Sequence, residues 1–191
     1  MDLFVIEGYV VMPRPETLMI SVFKEIWEAD NEPKKPNAMA KFAYIEFMCS
    51  YKKNNPFVGY SDKEERATKI LDALSSSRNG GSIEDPRENV MVMNAMEFYL
   101  RTQYEAAPSL RFYEAALSAA EELISFFTGL NMDDTNAKTG NPLYKPAEIT
   151  RALKDTNDII KTLGALKDKV QQEIFEDSKG KGGRQINYFE Q

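Results

Sequence analysis

The residues of this sequence that could do chemistry are mostly carboxylates, and some of them stand in adjacent pairs. Glu64–Glu65 and Glu121–Glu122 are two such pairs. Carboxylates that face each other can share the roles of general acid and of base or nucleophile. Neighbouring residues on a helix point in different directions, however, and both pairs lie in segments with helical patterns. We therefore interpret them as parts of solvated helix surfaces.

The most common catalytic bases, nucleophiles and metal ligands are scarce. The 191 residues include one cysteine, Cys49, and no histidine. Internal disulfides are therefore excluded, and a zinc site would depend on one thiolate and carboxylates. Because Cys49 lies in an apolar run, we interpret it as a small buried side chain rather than a reactive thiol. We expect no enzyme, no catalytic residue, no cofactor and no metal site.

Two polar segments have some features of ligand-binding loops. Asp133, Asp134 and Asn136 are residue types found in calcium loops. Lys138, however, stands at a ligand position, and the glycine and closing glutamate of such loops are missing. The segment GKGGR at 180–184 lacks the spaced glycines, the following serine or threonine and the preceding strand of a phosphate loop. We assign no ligand to either segment.

The elements that would position any such residues are mainly helices. Apolar residues at helical spacing and clear start signals, including the capping box Ser61–Glu64 and the pair Asp85–Pro86, predict about six helices. We place these helices at about 16–30, 36–51, 61–74, 85–107, 109–128 and 146–176. The fold class is therefore mainly α, a helical bundle with a long C-terminal helix. That last helix would be about 45 Å long, which favours projection or packing by neighbouring chains.

The helix at 36–51 is expected to be central. Phe42 and Ile45 belong to one apolar stripe, and Tyr44 and Phe47 belong to another. A helix that is apolar on two faces leaves little surface for solvent. The β-forming residues of this run also allow a strand, but its alanines and its length favour a helix.

Both ends of the chain differ in character from this helical body. Residues 1–14 are rich in β-branched and aromatic side chains, and we interpret them as an extended N-terminal arm or a β-strand that pairs with something else, such as another copy. Residues 15–176 form a single predicted helical domain. Residues 177–191 form a flexible, glycine-containing C-terminal tail, either disordered or an arm that orders on a partner through Ile186, Tyr188 and Phe189.

The net charge of −6 is unevenly distributed. Ten acidic and three basic residues lie between Glu84 and Asp134, which gives that segment a net charge of −7. Such a body repels nucleic acid, so any contact with a polyanion would fall to the tail. No apolar run is long enough to span a bilayer, and Asp2 argues against a secretion signal. We expect the protein in a cytoplasm or in a particle assembled there.

Residues 42–66 resemble a segment of small structural proteins from large tailed bacteriophages, especially crAss-like phages of gut Bacteroidetes. In those proteins an aromatic helix leads into a lysine- and proline-containing turn, and an acidic helix with Glu-Arg follows. The corresponding residues here are Tyr44, Phe47, Tyr51, Lys52, Pro56, Phe57, Tyr60, Glu64, Glu65 and Arg66. This sequence departs from the pattern in having Ser50 at a position where an acid is expected and extra residues before Pro56.

The resemblance implies a virion structural protein, a subunit of a homomeric ring in the head–tail connector. Its partners would be copies of itself, the portal and other tail proteins, with DNA passing nearby without specific binding and no membrane. The alternative is an acidic helical inhibitor, encoded by a phage, that acts on a host protein. We expect the turn after the central helix and the tail to form the subunit interface, through Tyr51, Lys52, Pro56, Phe57, Tyr60, Arg66, Ile186, Tyr188 and Phe189.

Overall fold

The computed structural model of the chain describes residues 3–60, 62–77, 85–131, 135 and 144–182. These residues form a two-stranded antiparallel sheet, two short 3-10 helices and six α-helices. The strands are β1 (Phe4–Glu7) and β2 (Val10–Pro13), and the helices are α1 (Ser21–Ala29), α2 (Pro36–Cys49), α3 (Lys63–Ser77), α4 (Val90–Ala106), α5 (Ser109–Thr128) and α6 (Pro146–Gly182). The prediction of a mainly helical fold with about six helices and a long last helix is confirmed.

The chain divides into two compact units, which differs from the single helical domain expected for residues 15–176. Unit 1 consists of Met1–Ala107 and Gln171–Gln191, and unit 2 consists of Pro108–Val170. The boundary follows α4 directly. Pro108 has no amide hydrogen to donate, and the residue before a proline disfavours the helical conformation, so α4 ends at Ala106 and a new helix begins at Ser109.

The N-terminal segment is a β-hairpin and part of the core of unit 1. The β character that its residues predict is confirmed. The expectation that the segment pairs with something outside it is wrong, because β1 pairs with β2, from Phe4↔Pro13 to Glu7↔Val10. Gly8 has a φ of 64° at the first position of the two-residue turn, a conformation that favours glycine. Leu3, Phe4 and Val11 are buried, and β2 packs on α2.

Helix α2 lies at the centre of unit 1, as its two apolar stripes predict. Its buried residues face almost every direction around the helix, and they are Ala38, Ala40, Phe42, Ala43, Tyr44, Ile45, Glu46, Phe47 and Cys49. The Phe42 ring lies 5.5 Å from that of Phe4 and 6.2 Å from those of Phe23 and Trp27. The hairpin and α1 are therefore joined to α2 by aromatic contacts, which include tilted, edge-on and stacked arrangements.

Helix α6 continues past its expected end at Glu176 and includes Gly180 and Gly182. The prediction that the glycines after residue 177 prevent a helix is therefore wrong for these two positions. Glycine in a helix interior costs about 1 kcal/mol relative to alanine, a penalty that a long helix can absorb. The remainder of the predicted tail, residues 183–191 with Ile186, Tyr188 and Phe189, lies outside the described residues, as does the segment that resembles a calcium loop.

Candidate functional site

The turn that follows α2 is built around Asn55. The last carbonyl groups of a helix have no partner within the helix. Asn55 supplies one, because its Nδ2 donates to the carbonyl oxygens of Phe47 at 3.0 Å and Ser50 at 2.6 Å. Its Oδ1 accepts a hydrogen bond from the Phe57 amide at 2.9 Å. The Asn-Pro sequence therefore caps α2 and shapes the next turn at the same time.

Arg66 closes the same helix end from α3. Its Nε donates to the Phe47 carbonyl at 3.0 Å, and one terminal nitrogen donates to the Ser50 carbonyl at 3.1 Å. The guanidinium also lies 5.6 Å from the centre of the Tyr51 ring, within the range of a cation–π contact. The planar fork of an arginine suits two neighbouring acceptors of this kind. Arg66 thus ties α3 to the end of α2.

The structure corrects the expectation that Phe57 and Arg66 form an exposed contact surface. Phe57 is only 6% exposed, because its ring packs 5.3 Å from Phe47 and 6.2 Å from Tyr9. Arg66 is only 5% exposed, because its hydrogen bonds draw it beneath the turn. The residues that carry the sequence resemblance therefore include several that hold the fold together.

The other predicted interface residues lie nearer the surface. Pro56 is exposed, while Tyr51, Lys52 and Tyr60 are half-buried. Their role in contacts between subunits stays a prediction, as does that of the three tail residues.

The opposite end of α2 is closed by Asp30, which precedes the helix by six residues. Its carboxylate accepts hydrogen bonds from the amides of Asn37 at 2.7 Å, Ala38 at 2.9 Å and Glu32 at 3.1 Å. Burial raises the pKa of Asp30, but the hydrogen bonds from the Ala38, Glu32 and Asn37 amides outweigh it, so that the pKa lies below the ordinary value. Both ends of α2 are therefore capped by side chains from other parts of the chain.

A polar network that sequence reasoning missed lies inside unit 1. Glu46 has no exposed side-chain surface, and its Oε2 accepts a hydrogen bond from the Tyr99 hydroxyl of α4 at 2.6 Å. Its Oε1 lies 3.5 Å from Nζ of Lys52. The available signal was a single acid inside the apolar run from Phe42 to Cys49. A charge at such a position needs a partner.

This network has the residue types of an acid–base site but not its accessibility. Burial, the nearby charge of Glu46 and the hydrogen bond to Glu46 raise the pKa of Tyr99 well above its ordinary value. Tyr99 is completely buried, so neither it nor Glu46 can reach a substrate from solvent. The buried hydrogen bond from Tyr99 to Glu46 joins α4 to α2.

A groove on unit 1 offers a surface of mixed chemistry. Its volume is about 760 Å³. One wall comes from β1 through Phe4, Val5 and Ile6, and another comes from the last turns of α6 through Ile174 and Phe175. Three basic residues, Arg14, Lys52 and Lys53, also line it. The groove can therefore hold apolar side chains that are accompanied by an acidic group.

Unit 2 exposes a surface of a different kind. On α5, Phe112 is 72% exposed and Phe126 is 50% exposed. They share one helix face with Ala115, Ala119 and Leu123, since the spacings of three and four residues return to the same side. On α6, Leu153 and Ile160 are also more than half exposed and are seven residues apart. Both helices of unit 2 therefore present apolar side chains to solvent.

Within residues 3–60, 62–77, 85–131, 135 and 144–182, no group of three or more histidine, cysteine, aspartate and glutamate residues could hold a metal ion. None of the helices in this described part of the chain is long and apolar enough to cross a membrane. No protein-family model, curated protein or solved structure matches the chain.

Proposed function

We propose that this protein is a structural subunit of a bacteriophage virion. In this proposal, copies of the chain form a homomeric ring in the head–tail connector, near the portal and around the DNA path. The observation that carries the proposal is the exposure of large apolar side chains on both helices of unit 2. Exposed apolar patches are characteristic of surfaces that bind other proteins.

The apolar face of α5 has the dimensions of a helix-packing surface. Phe112 and Phe126 are 14 residues apart, which corresponds to about 21 Å along a helix. Ala115 and Ala119 lie between them on the same face. Small residues between two large ones allow another helix to approach closely, with the phenylalanines on either side of it. A second copy of the chain can supply such a helix.

The distribution of charge agrees with a ring around DNA. Glu88, Glu97 and Glu105 in unit 1, and Glu121 and Glu122 in unit 2, are exposed. Exposed carboxylates repel the phosphate backbone, so DNA can move past such a surface without sticking. The resemblance of residues 42–66 to phage connector proteins supports the same assignment from the sequence.

The proposal can be tested by measuring the mass of the purified protein, alone and with its portal partner. We expect mass photometry to find closed assemblies of one stoichiometry, and electron microscopy to find rings. The double variant Phe112→Ser/Phe126→Ser should dissociate about a hundredfold to ten-thousandfold more readily, because burying each of the two side chains contributes about 1.5–3 kcal/mol. Circular dichroism should remain that of the parent, since both residues are exposed.

Met19→Ser is the matched control, because Met19 is a large apolar residue of unit 1 that is 85% exposed. It should leave the assembly unchanged. A parent protein that remains monomeric at micromolar concentration and does not join the portal or another ring would overturn the proposal.

A second candidate follows from the acidic surface: a phage-encoded inhibitor that binds a host protein. The five exposed glutamates support it, because exposed carboxylates can imitate the charge of nucleic acid. Mass spectrometry of purified virions separates the two candidates. Stoichiometric presence in the virion supports the ring subunit, whereas absence from virions together with capture of a host polymerase or nuclease supports the inhibitor.

A further inference from the structure

The outer edge of β1 carries backbone groups that the hairpin does not use. The Arg14 amide donates to the Leu3 carbonyl at 3.0 Å, so these two residues form a hydrogen-bonded pair next to Phe4↔Pro13. Hydrogen-bonded and non-hydrogen-bonded pairs alternate along an antiparallel ladder, which places Phe4 and Ile6 at non-hydrogen-bonded positions. Their amides and carbonyls therefore point away from β2. In the part of the chain that the structure describes, no hydrogen bond from another segment reaches them.

The outer edge of β2 is less suited to further pairing. Val11 and Pro13 hold the corresponding positions on this strand. Pro13 has no amide hydrogen to donate, and proline on an edge strand is a common protection against an additional strand. The hairpin thus has one blunted edge, on β2, and one edge on β1 that retains both donors and acceptors.

The groove on unit 1 follows the edge of β1. Three consecutive residues of this strand line it, Phe4, Val5 and Ile6, whereas Val10–Pro13 of β2, which the structure also describes, do not. Part of the opposite wall is Ile174 of α6. An extended segment in a groove along a strand edge can bond to that strand and enlarge the sheet, a mode of peptide binding called β-augmentation. The position of the groove therefore favours an extended occupant.

The charge of the groove restricts the occupant further. Its described lining residues include three cations and no acid, although the whole chain has a net charge of −6. Lys52 is paired with Glu46, while Arg14 and Lys53 are exposed. Complementary charge selects an acidic partner for such a surface. Because alternate side chains of a strand face the same side, one segment can present apolar side chains to the walls and a carboxylate to the cations.

We propose that β1 binds an extended, acidic segment of another protein as a third strand of the sheet. The backbone of the segment donates to and accepts from Phe4 and Ile6. Its alternate apolar side chains pack against the walls of the groove, and a carboxylate approaches Arg14 and Lys53. The inference goes beyond the proposed function, since it concerns the hairpin of unit 1 and does not require a ring.

Selection from a displayed random library of twelve-residue peptides, with the full chain as bait, tests the proposal. We expect the enriched peptides to have alternating apolar residues and at least one acid. The best of them, synthesised with a fluorescent label, is the probe for anisotropy measurements. A strand bonds to its neighbour through every second residue, so N-methylating the peptide amides one at a time should weaken binding by about tenfold at alternate positions and little between them.

Variants of the edge test the same contact from the side of the protein. Ile6→Pro removes an outward amide, and Pro13 shows that this hairpin accepts proline at a non-hydrogen-bonded position. It should weaken binding of the probe by about tenfold, because one backbone hydrogen bond is lost and the proline ring blocks the edge. Ile6→Ala shortens the side chain but keeps the amide, and should weaken binding by about threefold or less. Circular dichroism verifies that each variant is folded.

Charge reversal gives an independent readout, which remains informative if Ile6→Pro does not fold. Arg14→Glu/Lys53→Glu should weaken binding of the probe by about tenfold at low salt and by less at high salt. Lys63→Glu/Lys69→Glu is the matched control, because both lysines are exposed on α3 and neither lines the groove. It should leave binding unchanged.

Four results would overturn the proposal. They are a selection that enriches no alternating acidic sequence, an N-methylation scan without a period of two, binding that survives both the charge reversal and a folded Ile6→Pro, and self-association of the chain that the probe disrupts. The last would assign the edge of β1 to a second copy. Because Phe112→Ser/Phe126→Ser should bind the probe like the parent, failure of the ring proposal and failure of this one are distinguishable.

Discussion

The two units of this protein differ in how their helices are stabilised. In unit 1, α2 is surrounded by aromatic and aliphatic side chains, and both of its ends are capped by residues from other elements. In unit 2, the buried apolar residues of α5 are Leu110, Tyr113 and Ala120, while phenylalanines on another face are exposed. Unit 1 therefore has its own core, whereas the apolar surface of unit 2 is available for a partner.

Truncating one phenylalanine in each unit gives the largest expected contrast. Phe42→Ala should lower the free energy of unfolding of unit 1 by about 3–5 kcal/mol, because it leaves a cavity among Phe4, Phe23 and Trp27. Phe126→Ala should change the stability of the monomer by less than about 0.5 kcal/mol, since half of its side chain is already in water. Urea denaturation measures both.

Those denaturation experiments should be carried out at a concentration at which the chain is monomeric. Comparable losses from the two variants would contradict the distinction between the units, because they would show that Phe126 belongs to a core as tightly packed as that around Phe42.

An intermediate effect is expected from the arginine that caps α2. Arg66→Ala removes two hydrogen bonds to buried carbonyls and should destabilise unit 1 by about 2–3 kcal/mol. Arg151→Ala, at an exposed position of α6 in unit 2, is the matched control and should change stability by less than about 0.5 kcal/mol. Thermal unfolding distinguishes them. If Arg66→Ala lowers the free energy of unfolding by less than about 1 kcal/mol, the hydrogen bonds from Asn55 alone are enough to cap this end of α2.

The smallest expected effect depends on pH. Asp30→Ala should destabilise unit 1 by about 1–2 kcal/mol at neutral pH, the usual range for a lost N-terminal cap. Because the pKa of Asp30 is lower in the folded chain than in the unfolded chain, its contribution is fully present above the unfolded pKa of about 3.9. The contribution decreases as the pH falls from there through the folded pKa.

Denaturation curves at pH 7 and at pH 3 test this pH dependence. The difference between the parent and Asp30→Ala should be smaller at pH 3. A difference that is equal or larger in acid would contradict the assigned cap, since protonation must weaken hydrogen bonds that the carboxylate accepts from the Asn37 and Ala38 amides.

The helices of both units could be predicted from the sequence because their signals are local. The apolar stripes of α2 and the helically spaced apolar residues of α5 lie within short windows, whereas the Asp85–Pro86 start signal precedes a separate 3-10 helix and α4 itself begins after Asn89. The central position of α2 could also be predicted from the sequence, because a helix that is apolar on two faces has to be covered on both. These patterns do not depend on knowing which elements are neighbours.

The features that escaped prediction depend on contacts between distant residues. Nothing near Glu46 in the sequence indicates that Tyr99 would bond to it, 53 positions later. The burial of Arg66 has no sequence signal, because the acceptors it reaches are backbone atoms, and these leave no residue pattern. The hairpin did have a local signal. Gly8 stands between two β-prone runs, and a glycine in that position is typical of a two-residue turn.

The long-range caps of α2 also have a consequence for how unit 1 folds. The terminal amides and carbonyls of α2 acquire their partners only when the loop containing Asp30 and the first turn of α3 are in place. An isolated helix of 14 residues is only marginally stable in water. We therefore expect α2 to form together with its capping segments rather than as an early independent nucleus.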